Sequence, residues 1–234
     1  MSNPVLELRN VTAGYTSRSL GIFGRKTTRR VLDGIDLTIK QGGIFGLVGG
    51  SGSGKTTLAR AVLGFIEYGG EIFIDGRERS SGSRRDFARA VQSVFQDPAS
   101  SMDPTKRVGF LLEEPLVIHR LGTKAERLRR VDEVLDFIGF DPAYKKRGIS
   151  ELSGGQRQRV AIGIALMLEP KLIVADEPVS SLDVSVAAQI LNVLRDLRER
   201  LGLSLLFISH NLELVHYLCD EVAVLAEGKL AADG

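Results

Sequence analysis

The stretch from Ile44 to Phe65 constrains the fold more than any other part of the chain. An apolar run, Ile44 to Val48, enters Gly49-Gly50-Ser51-Gly52-Ser53-Gly54-Lys55-Thr56, and helically spaced residues follow to Phe65. The pattern is strand, glycine-rich loop, helix. Gly49, Gly54, Lys55 and Thr56 fit G-x-x-x-x-G-K-[ST] in the context that gives that spacing meaning. Glycines let backbone N–H groups converge on phosphate oxygens, and the helix start adds positive partial charge. The expectation is a cradle built from Gly49, Ser51, Gly52, Ser53 and Gly54. Lys55 should reach the terminal phosphates, Thr56 should ligate Mg²⁺, and Thr57 should be a nearby phosphate contact. Such a loop specifies a nucleoside triphosphate but not what is done with it.

The rest of the chain supplies the sheet that this unit needs. Val5–Val11 and Val31–Ile39 alternate apolar and polar residues, as half-buried strands do, and Glu71–Asp75 reads as another strand. The segment between the first two, TSRSLGIFGRKTTRR, reads as a loop excursion whose basic cluster, Arg25 to Arg30, is a solvated face. Residues 86–156 change character, with Pro98, Pro104, Pro115 and a charge-laced helical pattern from Lys124 to Ile138. They are expected to form an inserted, mainly helical subdomain, leaving 1–85 and 157–234 as the core. Beyond it, helical patterns at Gln156–Leu168, Val184–Arg200 and Asn211–Leu218 alternate with apolar runs at Lys171–Ala175, Leu203–Ile208 and Glu221–Leu225. That alternation argues for a parallel sheet covered on both faces, in an α/β fold.

Two further stretches carry chemistry. Leu172-Ile173-Val174-Ala175 ends in Asp176-Glu177, and carboxylates at the C-terminal edge of such a strand face the ligand crevice. Asp176 is expected to hold Mg²⁺ and Glu177 to polarise an attacking water. Leu152-Ser153-Gly154-Gly155-Gln156 reads locally as a helix start, with Ser153 as its cap.

Taken together, these motifs resemble the ATP-binding cassette (ABC) ATPases, and the resemblance covers nearly the whole chain. LSGGQRQRVAIGIAL followed by EPKLIVADEPVSSLD matches the family core. By resemblance, Gln96 in VFQDP is the Q-loop glutamine, which senses metal and γ-phosphate. Asp183 in SLD belongs to the D-loop, His210 in LLFISHN is the switch histidine, and Tyr15 stacks on adenine. The resemblance implies a RecA-like P-loop core, an N-terminal antiparallel β subdomain and an inserted helical signature subdomain. It implies ATP and Mg²⁺ as cofactors and Glu177, His210 and Gln96 as the catalytic set. It also implies a head-to-tail cassette dimer, in which Ser153, Gly154, Gly155 and Gln156 close on the partner's nucleotide.

VFQDPASSMDP and SHNLELVHYLCDEVAVL resemble the oligopeptide, dipeptide and nickel importer branch, and GIFGRK resembles the second of its two ATPase subunits. The implied partners are a paralogous ATPase, two integral membrane permease subunits and, indirectly, an extracytoplasmic binding protein. The implied place is the cytoplasmic face of the cell membrane. The alternative is a soluble ABC ATPase serving a non-transport enzyme complex. Gly50, Gly43, Val179 and Gly163 depart from the branch pattern, and a glycine inside a helix costs roughly 1 kcal/mol against alanine. Composition adds exclusions. A net charge of only +2 over 234 residues gives no argument for nucleic acid. One cysteine, Cys219, excludes an internal disulfide and a cysteine-based zinc site, and fits a reducing cytosol. No signal peptide is expected at MSNPVLELRN, and no run approaches the roughly 18 to 20 apolar residues of a membrane span.

Overall fold

Glycine-rich punctuation and fully apolar strands set the order of elements in the computed structural model, which describes residues 4–18 and 26–231. The chain opens with strands β1 (Pro4–Arg18), β2 (Lys26–Lys40) and β3 (Ile44–Val48), helix α1 (Lys55–Leu63), and strands β4 (Tyr68–Ile74) and β5 (Arg77–Glu78). Next come α2 (Arg84–Ala90), β6 (Val91–Phe95), α3 (Val108–Ile118), α4 (Lys124–Phe137), α5 (Gly154–Leu166), β7 (Leu172–Asp176) and α6 (Val184–Leu201). It closes with β8 (Ser204–Ile208), α7 (Leu212–Leu218), β9 (Glu221–Ala226) and β10 (Lys229–Leu230). The chain divides into two compact units, Met1–Gly82 with Ser204–Gly234, and Ser83–Leu203. This division differs from the expected 86–156 insertion. In the second unit β6 pairs with β7 and α5 packs beside α3, α4 and α6, so these elements cluster with the helical segment.

In the first unit, β2, β1, β4 and β5 form an antiparallel sheet in that order, with Leu6, Leu8, Val11, Leu32 and Ile35 on buried positions. Residues Thr16–Arg18 pair with Lys26–Thr28, so the expected loop excursion continues the β1–β2 ladder at both ends. GIFGRK falls largely in 19–25, outside the described residues. A second layer holds β3 between parallel neighbours β8 and β9, with β10 antiparallel on β9. All five residues of β3 and of β8 are buried, as parallel strands covered on both faces require. Gly46 explains how α7 reaches β3. A Cβ there would lie 2.3 Å from Val215 Cγ1 and 3.0 Å from Cys219 Sγ, so only glycine admits the helix. Burial in that contact pushes the Cys219 thiol up to about 12.

In the second unit, β6 and β7 are parallel, and α6 buries Ala187, Ile190, Leu191, Leu194 and Leu197 as one stripe. Asp183 caps α6, and Gly202 ends it in the left-handed region at φ 63°. Helix α3, with Pro115 inside it, is the element that the sequence pattern hid. Gly163 now has a physical reason. A Cβ on α5 at that position would sit 3.0 Å from both Ile138 and Leu112 and 3.2 Å from Val134, so glycine lets α5 lie close against α3 and α4.

Candidate functional site

The phosphate loop leaves β3 and turns into α1 within a cavity of about 500 Å³ in the first unit. Its lining joins Gly52, Ser53, Gly54, Lys55, Thr56 and Thr57 to Tyr15, Arg29 and Val31 from the β1–β2 hairpin. Gly52 and Gly54 lie in left-handed conformations, at φ 76° and 113°, which L side chains rarely adopt. At Gly49 a Cβ would meet the Leu225 carbonyl oxygen at 2.2 Å, so the loop cannot hold its path with any larger residue. Gly50 faces open space, so the glycine that replaces the branch's usual residue leaves no gap and relieves no clash.

Three features prepare this loop for an anion. Helix α1 begins at Gly54 with no side-chain cap and no acidic residue in its first turn, so its leading N–H groups keep their demand for acceptors. Among the described residues the buried Ser53 hydroxyl has no hydrogen-bond partner. Lys55, also buried, donates from Nζ to the carbonyls of Gly49 and Gly50 at 2.7 and 2.9 Å, holding its ammonium over the loop. A triphosphate satisfies all three. Tyr15 stands at the cavity, about two-fifths exposed. Its hydroxyl lies 3.4 Å from Thr57 Oγ1 and accepts from Arg60 at 3.3 Å, and these partners hold the phenol below its ordinary range. Sequence reasoning missed Arg29, Val31 and Arg60. Only their position beside the loop marks them.

His210 does not line this cavity, but the sheet brings it to the same edge. Leu47 pairs with Ile208 in the parallel register, so Gly49 and His210 each follow two residues beyond that pair. The exposed His210 precedes Asn211, whose side chain caps α7 by accepting from Glu213 and Leu214. Ser51 and Thr56 are exposed on the loop, and Thr57 is buried.

The second unit repeats the arrangement. Phe95 pairs with Asp176, so Gln96 and Glu177 leave β6 and β7 at the same level. Asp176 is buried and Gln96 exposed. Glu177 is held at φ 53°, an uncommon conformation for a non-glycine residue and a cost that functional positions tend to carry. Ser180 fixes the Glu177 carbonyl with its N–H at 3.3 Å and its hydroxyl at 3.0 Å. Among the described residues no group of three or more His, Cys, Asp or Glu side chains could hold a metal. Asp176 and Gln96, at the ends of the paired strands, are oxygen donors of the kind Mg²⁺ takes, one or two from protein with the rest from phosphate and water.

The signature residues form a complete helix start. Ser153 Oγ accepts from the Gln156 N–H at 3.3 Å, and Gln156 Oε1 accepts from the Ser153 N–H at 3.0 Å, closing a capping box. Gly154 is exposed, whereas Gly155 is buried where a Cβ would come within 2.2 Å of Val186 Cγ1. Gly155 therefore serves the contact of α5 with α6. Asp183 accepts from the Val186 N–H at 2.9 Å and the Ser185 hydroxyl at 2.7 Å, and these bonds hold its carboxyl below the usual range.

Comparison with known proteins agrees with this chemistry. A sequence family described as ABC transporter matches residues 32–180. A Brucella ovis protein named as a peptide import ATP-binding protein is 47% identical over 231 residues, covering 97% of this chain and 71% of its own length. The oligopeptide transport ATP-binding protein AppF of Bacillus subtilis is 40% identical over 232 residues, covering 97% of this chain and 70% of its own. Among solved structures, cbiO1 of Clostridium perfringens, described as part of the ABC transporter complex cbiONQ, superposes with a TM-score of 0.86. It is 27% identical and covers all of this chain and 89% of its own. The ATP-binding cassette MJ0796, solved as a dimer in a post-hydrolysis state with ADP and Pi, gives a TM-score of 0.81 at 26% identity, over 98% of this chain and 97% of its own.

Proposed function

The chain belongs to the ABC transporter family, and on that premise we propose that it is the ATP-hydrolysing subunit of an importer whose cargo is peptide. The observation that carries the nucleotide half of this reading is the bare start of α1, with the unpartnered Ser53 hydroxyl and Lys55 beside it. The importer half is supported by identity to peptide import ATP-binding proteins along nearly the whole chain. Nickel or a metal chelate is the other cargo that the branch resemblance allows.

In this reading the N–H groups from Gly52 to Thr56 and the Lys55 ammonium hold the β- and γ-phosphates, and Tyr15 packs on the adenine. Thr56, Asp176 and Gln96 are the protein's oxygens toward Mg²⁺, which when bound neutralises phosphate charge. Glu177 orients the attacking water and takes its proton, while His210 donates to the γ-phosphate. Ser153, Gly154, Gly155, Gln156 and Asp183 serve the nucleotide of a second cassette, a paralogue packed head to tail, so one chain alone lacks half of each site.

No helix among the described residues is long and apolar enough to cross a membrane. In this reading separate permease subunits supply the spans. An exposed apolar row on α3 supports a docked partner: Phe110, Val117 and Ile118 are 48, 50 and 66% exposed. The chain then sits at the cytoplasmic face of the membrane, with an extracytoplasmic binding protein delivering cargo. The test is co-purification from native membranes. The reading expects two integral membrane proteins to accompany the chain and to stimulate its ATPase. Glu177→Gln should cut turnover about 10²- to 10⁴-fold with ATP binding kept. Near-normal turnover in that variant contradicts the catalytic assignment, and a soluble enzyme complex in place of membrane proteins contradicts the transport assignment.

A further inference from the structure

Helix α5 carries one polar side chain on its buried face. Gly155, Gln158, Ile162 and Ala165 share a stripe at spacings of three, four and three, and Gln158 is only 1% exposed. An amide in such a position is costly unless it is hydrogen-bonded. Gln158 Nε2 donates to the Phe95 carbonyl at 3.2 Å. That carbonyl is placed at a junction. Phe95 ends β6, is followed directly by Gln96, and pairs in register with Asp176. The next carbonyl, that of Gln96, accepts from Ser181 Oγ at 3.4 Å, two residues before Asp183. The helix that bears Gln158 starts at the Ser153 capping box, little more than one turn away.

We propose that Gln158 is a positioning residue that locks the Gln96 segment to the signature helix, so that a displacement at Gln96 is carried to Ser153. The bond runs from a fully buried side chain of a capped helix to the backbone of the last residue of β6, so a shift of that strand end bears directly on the helix. Without the bond, the signature turn and the Gln96 segment respond to nucleotide separately. The proposal rests on the roles given above to Gln96 and Ser153, and its test distinguishes the two.

The experiment uses the full chain purified with its membrane complex, as wild type, Gln158→Leu and Gln158→Met. Both substitutions fill a similar volume on an apolar stripe and remove the donor. ATP turnover is measured with Mg-ATP, and amide hydrogen exchange of residues 96–101 and 153–156 is followed with and without a slowly hydrolysed ATP analogue. The expected result is a kcat lower by about tenfold, the scale of one lost positioning bond, with KM for ATP unchanged. Nucleotide-induced protection should persist at 96–101 and vanish at 153–156. Unchanged kcat per folded complex, or protection that still appears in both segments, overturns the proposal even if the melting temperature falls. Gln96→Ala and Ser153→Ala are run beside them. If these leave turnover intact, the underlying roles fail, and the proposal fails with them.

Discussion

Two helix starts in this molecule look alike in sequence, each rich in serine and glycine, yet they are finished in opposite ways. Helix α1 begins at a left-handed glycine with no side-chain acceptor, beside a buried serine hydroxyl that has no partner among the described residues. Helix α5 begins with a reciprocal Ser153–Gln156 capping box, and Asp183 caps the neighbouring α6. The first start is left to be completed by a bound anion. The second is complete as folded, and Ser153 still keeps a hydroxyl proton to donate, because its oxygen is the acceptor in the box. The contrast fits a chain that binds one nucleotide for itself and offers a finished surface to another.

The comparison can be broken from either side. The largest effect is expected at Lys55, whose ammonium is already gathered over the loop. Lys55→Ala should weaken ATP binding by about 10²-fold, the range for a lost hydrogen bond to a charged group, with little change in melting temperature. Fluorescent-nucleotide titration checks the first part and calorimetry the second. Next in size is Gly155→Ala, which drives a Cβ into Val186 and should cost about 1–3 kcal/mol by denaturant titration. Gly50→Ala, facing open space, should stay within about 0.5 kcal/mol. Smaller again is a pH effect at the capped end. The bonds from Val186 and Ser185 lower the folded-state pKa of Asp183, so its stabilising share is present above the ordinary carboxylate range and is lost as pH falls through the lowered value. Asp183→Asn should flatten the acid limb of the stability curve and leave the neutral region nearly unchanged.

How much of this was legible in sequence follows from how local each cause is. The phosphate loop, the strand before Asp176 and the Ser153 cap could be read because their reasons lie within a few residues of chain. The α6 stripe was legible for the same reason, since four of its buried positions repeat at helical spacing. The length of β1 and β2 was not, because Gly, Ser and Arg there obscure a ladder that only cross-strand pairing reveals. Helix α3 was hidden by Pro115, which reads as a breaker although the structure places it inside the helix. Gly163, Gly46 and Gln158 depend on partners distant in sequence, and nothing near them announces Leu112, Val215 or Phe95. Arg29 and Val31 join the cavity only because the β1–β2 hairpin is folded beside the loop.

The most direct test of the difference between the two helix starts is ATP affinity in the isolated chain, below any concentration at which it dimerises. Ser153→Ala removes a helix cap, at about 1 kcal/mol of stability. It should leave the Kd for ATP equal to that of wild type, while Lys55→Ala loses affinity by about two orders of magnitude. An equal loss of affinity in Ser153→Ala would mean that the signature turn serves its own chain's nucleotide, and would contradict the account.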